Sequence, residues 1–255
     1  MQSDLLQINA LTVTLEDQTP LLNGIDLTVK KGEVHVLMGP NGAGKSTLGN
    51  VLMGHPDYRV RAGSIRFDGQ DVTLLSTEKR AKLGMFFSFQ NPEEVSGITL
   101  ENFLRTAKSS ITGIEENVFI FNLKLKKIME SLHMDPLYAY RHLNVGFSGG
   151  EKKKSEIVQL LALDPRLAIL DETDSGLDVD AVRIVSQGIR QFHTPENSLL
   201  IITHNTKILE SIPVDRVHIL VKGSIVASGD VSLIKTIEEE GFAPFVGMGG
   251  EIDES

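Results

Sequence analysis

Residues 39–47 read Gly-Pro-Asn-Gly-Ala-Gly-Lys-Ser-Thr, and no other stretch limits the possible folds as tightly. Gly39, Gly44, Lys45 and Ser46 occupy the fixed positions of G-x-x-x-x-G-K-[ST], a loop that works only between a buried strand and the start of a helix. The flanks agree: residues 34–38 are apolar and residues 47–53 suit a helix. Glycines let the backbone curl until successive N–H groups point inward, and the helix N-terminus adds its partial positive charge. Gly39, Pro40, Asn41, Gly42, Ala43, Gly44, Lys45, Ser46 and Thr47 therefore form a candidate cradle for the phosphates of a nucleoside triphosphate. Lys45 is placed to reach the β- and γ-phosphates, and the Ser46 hydroxyl to ligate Mg²⁺.

Composition removes several other function classes. The hydrophobic share of 41% and the charged share of 23% are ordinary for a globular protein with a sizeable core. A net charge of −9 opposes nucleic acid as the main partner, because binders of DNA carry a basic excess. No apolar run approaches the ~20 residues of a membrane span. The first residues also lack the basic-then-apolar pattern of a secretory signal, so a cytoplasmic location without membrane insertion is expected. With no cysteine in the chain, disulfides, thiolate metal sites and cysteine catalysis are ruled out.

The remaining pattern predicts an antiparallel patch beside a parallel core. Residues 5–15 and 25–29 read as strands separated by an Asn23-Gly24 turn, followed by strands at 33–38 and 64–67. Residues 83–90 form an apolar strand ending on Gln90, at the carboxyl edge where ligands of open α/β sheets gather. Gln90 there is either a contact to Mg²⁺ or the attacking water, or a plain strand terminus. The segment 91–163 turns helical, with helical spacing clearest at 100–107 and 118–132, and Lys124, Lys126 and Lys127 on a solvated face. Ser148, Gly149 and Gly150 open the next helix; they offer a hydroxyl and backbone N–H groups to an anion, or simply an N-cap.

Residues 166–172 are a buried strand ending in two acids, an unusual place for adjacent carboxylates. Beside a phosphate loop, Asp171 can hold Mg²⁺ and Glu172 can polarise the attacking water. A tight turn follows at 175–178. His204 ends the strand 198–203 at the same sheet edge, within reach of a γ-phosphate. Residues 216–221 and 224–228 read as a hairpin, and 247–255 as a mobile tail.

These features in this order resemble ABC-type ATPases over residues 4–246. The resemblance implies an α/β fold with a RecA-like core, an antiparallel β subdomain, and a helical signature subdomain at about 91–163. It makes 39–47 the Walker A loop and Gln90 the Q-loop residue. Ser148, Gly149 and Gly150 become the signature, Asp171 and Glu172 the Walker B acids, 175–178 the D-loop, and His204 the switch histidine. It further implies ATP and Mg²⁺ as cofactors: Glu172, His204 and Gln90 at the chemistry, Ser46, Gln90 and Asp171 at the metal, and Asp178 among the nucleotide-binding residues. In this family the signature meets the γ-phosphate of the opposite subunit, so a second copy of the chain is an expected partner.

A closer resemblance is to the SufC family, the ATPases of SUF iron–sulfur cluster assembly. It is carried by 89–95, 146–154 and 171–178, with further likeness at 223–230 and 237–242. Phe147, Glu151 and Thr173 stand where transporter subunits generally have Leu, Gln and Pro. Lys154, in place of an arginine, and Asn205, in place of an aromatic, depart from the pattern. This resemblance implies a SufB–SufD-type scaffold as partner, with residues 91–102 as the expected contact. The alternatives are an ATP-binding subunit of a membrane transporter and a nucleotide-gated adaptor; Glu172 and His204 argue against the adaptor. Strand 11–15 has no aromatic side chain, so Val13 is the expected contact to the base.

Overall fold

The computed structural model describes residues 3–247, so most of the expected tail, 248–255, lies outside the described residues. β1 (Asp4–Thr14) and β2 (Pro20–Lys30) pair antiparallel, and β3 (Val34–Met38) is buried at every position. β3 leads into the glycine-rich loop, and α1 (Lys45–Leu52) starts on the lysine of the motif. β4 (Arg59–Phe67) and β5 (Gln70–Asp71) complete a four-stranded sheet in the order β2-β1-β4-β5. After α2 (Thr77–Lys82) and β6 (Met85–Ser88), the chain runs through β7 (Val95–Thr99), α3 (Leu100–Thr112), α4 (Val118–Ser131) and β8 (His142–Leu143). α5 (Gly149–Leu163), β9 (Leu167–Asp171), α6 (Val179–Phe192) and β10 (Ser198–Ile202) follow. The hairpin of β11 (Arg216–Val221) and β12 (Ser224–Gly229) precedes α7 (Ser232–Glu240) and the single turn α8 (Ala243–Val246).

The central sheet has the order β12-β11-β3-β10-β9-β6, parallel except for the edge strand β12. β3, β9 and β10 are covered on both faces, which is why they read as apolar runs broken only by His35, the terminal Asp171 and the initial Ser198. Val34, Val36 and Ile201 face the layer of α5 and α6, while Leu37, Leu200 and Ile202 face α1 and the antiparallel sheet. Sheet order therefore brings four carboxyl ends together: those of β3, β6, β9 and β10.

Two details differ from the sequence reading. The segment 91–163 is not wholly helical, because β7 and β8 form a two-stranded ribbon with Val95 opposite Leu143. Its partner strands are separated by α3 and α4, so no local periodicity reveals the pairing. β2 also begins at Pro20, ahead of the expected 25, because it pairs along nearly all of β1.

Buried polar groups tie these layers together. The Ser228 hydroxyl can donate to His218 Nδ1 (2.7 Å), His218 Nε2–H to His35 Nδ1 (2.9 Å), and His35 Nε2–H to Glu33 (3.0 Å). That one-way chain needs both rings neutral; burial pushes His218 down to about 4 and lowers His35 as well. Arg80 is 2% exposed, and its guanidinium donates to the carbonyls of Val51 (2.8 Å), Leu52 (2.7 Å), Thr73 (2.9 Å) and Leu75 (2.9 Å). It supplies a donor to the Leu52 carbonyl and a second one to the Val51 carbonyl, which also accepts from Gly54 N–H at 3.0 Å. Arg80→Met removes a donor from the Leu52, Thr73 and Leu75 carbonyls, while Val51 keeps its bond from Gly54 N–H, and should lower the unfolding free energy by roughly 3 kcal/mol. Urea titration measures it; an unchanged midpoint would mean the carbonyls find other donors.

Candidate functional site

The site is built on a loop that has no room for side chains where it passes β11. A Cβ at Gly39 would overlap the Leu220 carbonyl oxygen, and Gly44 sits at φ 102, just before the first residue of α1. The turn between β11 and β12 grips the same loop, Gly223 N–H donating to the Ala43 carbonyl at 2.9 Å. Lys45 is 6% exposed and folds back so that Nζ donates to the carbonyls of Gly39 (2.9 Å) and Pro40 (3.0 Å). An ammonium has three donors, so one remains for an anion. Burial lowers the Lys45 pKa, opposed by the negative charges of Glu172 and Asp171.

The two acids that end β9 have different settings. Asp171 is 2% exposed, and burial raises its pKa against the nearby Ser46 hydroxyl. Its Oδ1 has no hydrogen-bond partner among the described residues. Glu172 turns out of the strand at φ 47, in the left-handed region that a glutamate enters only when its surroundings require it. Gln90 Nε2 donates to its Oε2 at 2.7 Å, and His204 Nδ1 lies 3.2 Å from its Oε1.

A cleft of about 830 Å³ opens over these groups. It is lined by all nine residues of 39–47, by Gln90, Glu172 and His204, and by Pro20, Leu21, Lys222, Gly223 and Phe242. Asp171 lies beneath it. Ser148, Gly149, Gly150 and Asp178 are outside it. Ser148 closes a capping box with Glu151 at the start of α5, and Asp178 caps α6 by accepting from Ala181 N–H at 2.8 Å. Val13 is no base contact in this structure: it is wholly buried under the antiparallel sheet, because β1 turns that face into the core.

The sequence profile described as ABC transporter matches residues 22–175. The chain belongs to this family of ATPases. It is an ATP hydrolase with the fold of an ABC cassette. Vegetative protein 296 of Bacillus subtilis (strain 168) is 45% identical over 244 residues, covering 95% of this chain and 93% of its own. A probable ATP-dependent transporter of Synechocystis sp. is 44% identical over 246 residues, covering 95% and 96%. Among solved structures, an ATP-binding subunit of an ABC transporter superposes with a TM-score of 0.77 at 25% identity, covering 98% of this chain and 97% of that one. A dimeric ATP-binding cassette in a post-hydrolysis state with ADP and Pi gives 0.74 at 18% identity, covering 89% and 99%, a likeness of fold.

In this ABC ATPase the segment entering Gln90 is fastened to α5 by two buried side chains, Lys153 and Glu156, that the sequence analysis did not single out. Glu156 accepts from Phe89 N–H (2.8 Å) and the Ser88 hydroxyl (3.1 Å). Lys153 Nζ donates to the carbonyls of Phe89 (3.0 Å) and Gln90 (2.7 Å) and lies 3.5 Å from Glu156 Oε2. The helix that starts on Ser148 therefore carries the Gln90 loop with it. In sequence, the only sign was a lysine and a glutamate three apart, the spacing of any solvated pair.

Burial pushes Glu156 up to about 7 against the attraction of Lys153. An acid whose folded pKa is raised binds more protons folded than unfolded, so stability falls as pH rises from its unfolded value toward 7. Glu156→Gln removes that titration. The thermal midpoint of the variant relative to the parent should therefore move in the variant's favour between pH 5 and pH 8. A difference independent of pH would show that Glu156 does not titrate in this range.

Proposed function

We propose that this ABC ATPase binds Mg·ATP between two chains, and that closure and reopening of the pair drive iron–sulfur cluster assembly on a SufB–SufD-type scaffold in the cytoplasm. The observation that carries the two-chain reading is the placement of the signature. Ser148 and Gly149 are exposed, Gly150 is half-buried, and all three lie outside the chain's own cleft, which supports a role at the γ-phosphate of a second chain. The backbone N–H groups of the loop and the free donor of Lys45 hold the phosphates. Glu172 takes the proton of the attacking water on a carboxylate oxygen, oriented by Gln90 and His204.

The donor set fits Mg²⁺. Asp171 offers a buried unpartnered oxygen near Ser46, and Gln90 engages Glu172 through its amide nitrogen, leaving its carbonyl oxygen available. Ser46, Asp171 and Gln90 would hold the ion, which supplies charge neutralisation and polarisation of the γ-phosphoryl group.

Support for the cluster-assembly reading comes from the segments 89–95, 146–154 and 171–178. Glu151 is engaged there: its carboxylate accepts from Ser148 N–H at 2.7 Å and from the Tyr138 hydroxyl, which fixes the start of α5. An apolar groove of about 530 Å³, with Met53, Phe86, Phe89 and Phe103 in its walls, adjoins the Gln90 loop and suits a protein partner that senses that loop. The expected contact at 91–102 borders it, with Glu94 paired to Lys152 at 2.8 Å. The second reading, an ATP-binding subunit of a membrane transporter, is favoured by the description of the Synechocystis relative as a probable ATP-dependent transporter. Affinity purification of the tagged chain from its native cells separates the two. A soluble, cluster-bearing scaffold is the expected companion; a membrane-embedded one would establish the alternative.

The mechanism makes two variants differ in kind. Lys45→Ala should weaken ATP binding itself. Glu172→Gln should retain Mg·ATP, lose about 10²–10⁴-fold in hydrolysis rate, and accumulate as a closed pair visible by light scattering with ATP and partner. Near-normal turnover in Glu172→Gln would remove it as the general base. Slow turnover without pairing, with ATP alone and with ATP and partner, would remove the two-chain sandwich.

A further inference from the structure

The residues lining the cleft divide by chemistry. One set is polar: the loop N–H groups, Lys45, Gln90, Glu172 and His204. The other holds Pro20, Leu21 and Phe242, beside Lys222 and Gly223. A triphosphate belongs with the polar set, which leaves the apolar set for the base. Hydrogen bonds join the apolar set to the loop: Asn23 N–H donates to the Gly223 carbonyl at 2.8 Å, and Gly223 N–H to Ala43 at 2.9 Å.

Phe242 reaches the cleft from the far end of the chain. It follows the turn that ends α7, and its carbonyl accepts from Phe245 N–H (3.0 Å) and Val246 N–H (3.2 Å) to start α8. Phe245 is 6% exposed and sits in the core with Val217, Ile219 and Val221, which anchors the turn. Phe242 itself is only half-buried: it packs against the core and also lines the cleft. It is the one phenyl ring among the lining residues, in a chain with no tryptophan and no aromatic side chain in β1 or β2. A phenyl ring offers phosphates nothing, whereas its face suits any purine.

The geometry points to Phe242 as the aromatic face on which the nucleobase packs, contributed by the C-terminal turn in place of an aromatic from the first strands. This rests on the nucleotide reading of the cleft. Because stacking tolerates every base, the residue adds affinity for ATP and GTP alike.

Calorimetry with Mg·ATP, Mg·GTP and Mg·tripolyphosphate tests it. Phe242→Ala should weaken ATP and GTP each by about tenfold or more and leave tripolyphosphate, which has no base, unchanged. Phe242→Trp should restore nucleotide binding, and its sole tryptophan should change emission with ATP but not with tripolyphosphate. If Phe242→Ala binds ATP like the parent, or loses tripolyphosphate to the same degree, the inference is overturned while the cleft reading stands. If the parent chain itself binds neither ATP nor tripolyphosphate, the cleft reading fails and this inference with it.

Discussion

The functional end of the molecule depends on how closely the loop after β3 lies against the end of β11. Backbone meets backbone there: Gly39 abuts the Leu220 carbonyl, and Gly223 donates to Ala43. No side chain fits between them, so the loop has one position relative to the sheet. The parallel pairing of β3 with β10 and β11 sets the height of that position. The neutral hydrogen-bond chain through His35 and His218 holds the two strands together from within. Once the loop is placed, strand order decides what surrounds it. β9 and β10 deliver Asp171, Glu172 and His204, and β6 delivers Gln90 from the far edge.

Charge is handled by partial compensation. Lys45, Asp171 and Glu172 are all buried; the two carboxylates support the ammonium of Lys45, whereas Glu172 opposes the charge on Asp171. A phosphate and a divalent cation entering this cluster alter the balance for every member. Glu172 couples it outward through Gln90, and Lys153 and Glu156 tie the Gln90 loop to α5. A shift at Glu172 therefore has a short covalent and hydrogen-bonded route to the start of α5 and to the apolar groove.

Much of the site was legible because its grammar is local. The loop 39–47 is contiguous, and its place between a buried strand and a helix follows from glycines, a lysine and a hydroxyl at set spacing. Gln90, Asp171, Glu172 and His204 could be placed because apolar runs mark strand ends, and parallel sheets gather those ends on one side. The capping role of Ser148 likewise follows from its position before a helix.

What the tertiary structure alone decided involves residues far apart in sequence or the face a strand turns inward. Val13 reads on paper as a side chain free to meet a base, and only the face that β1 turns toward the core buries it. Arg80 looks like an ordinary surface arginine until α2 lays it across the end of α1. Lys153 and Glu156 look like a solvated pair until β6 ends between them, and β7 finds β8 only after two helices fold between them. Pro20 and Phe242 stand at opposite ends of the chain, yet they border one cleft. The strand ends and the phosphate loop were determined by the sequence because backbone preference and burial act over a few residues. These cross-chain pairings were left to the fold, because the free energy that selects them comes from surfaces that meet only after the sheet has assembled.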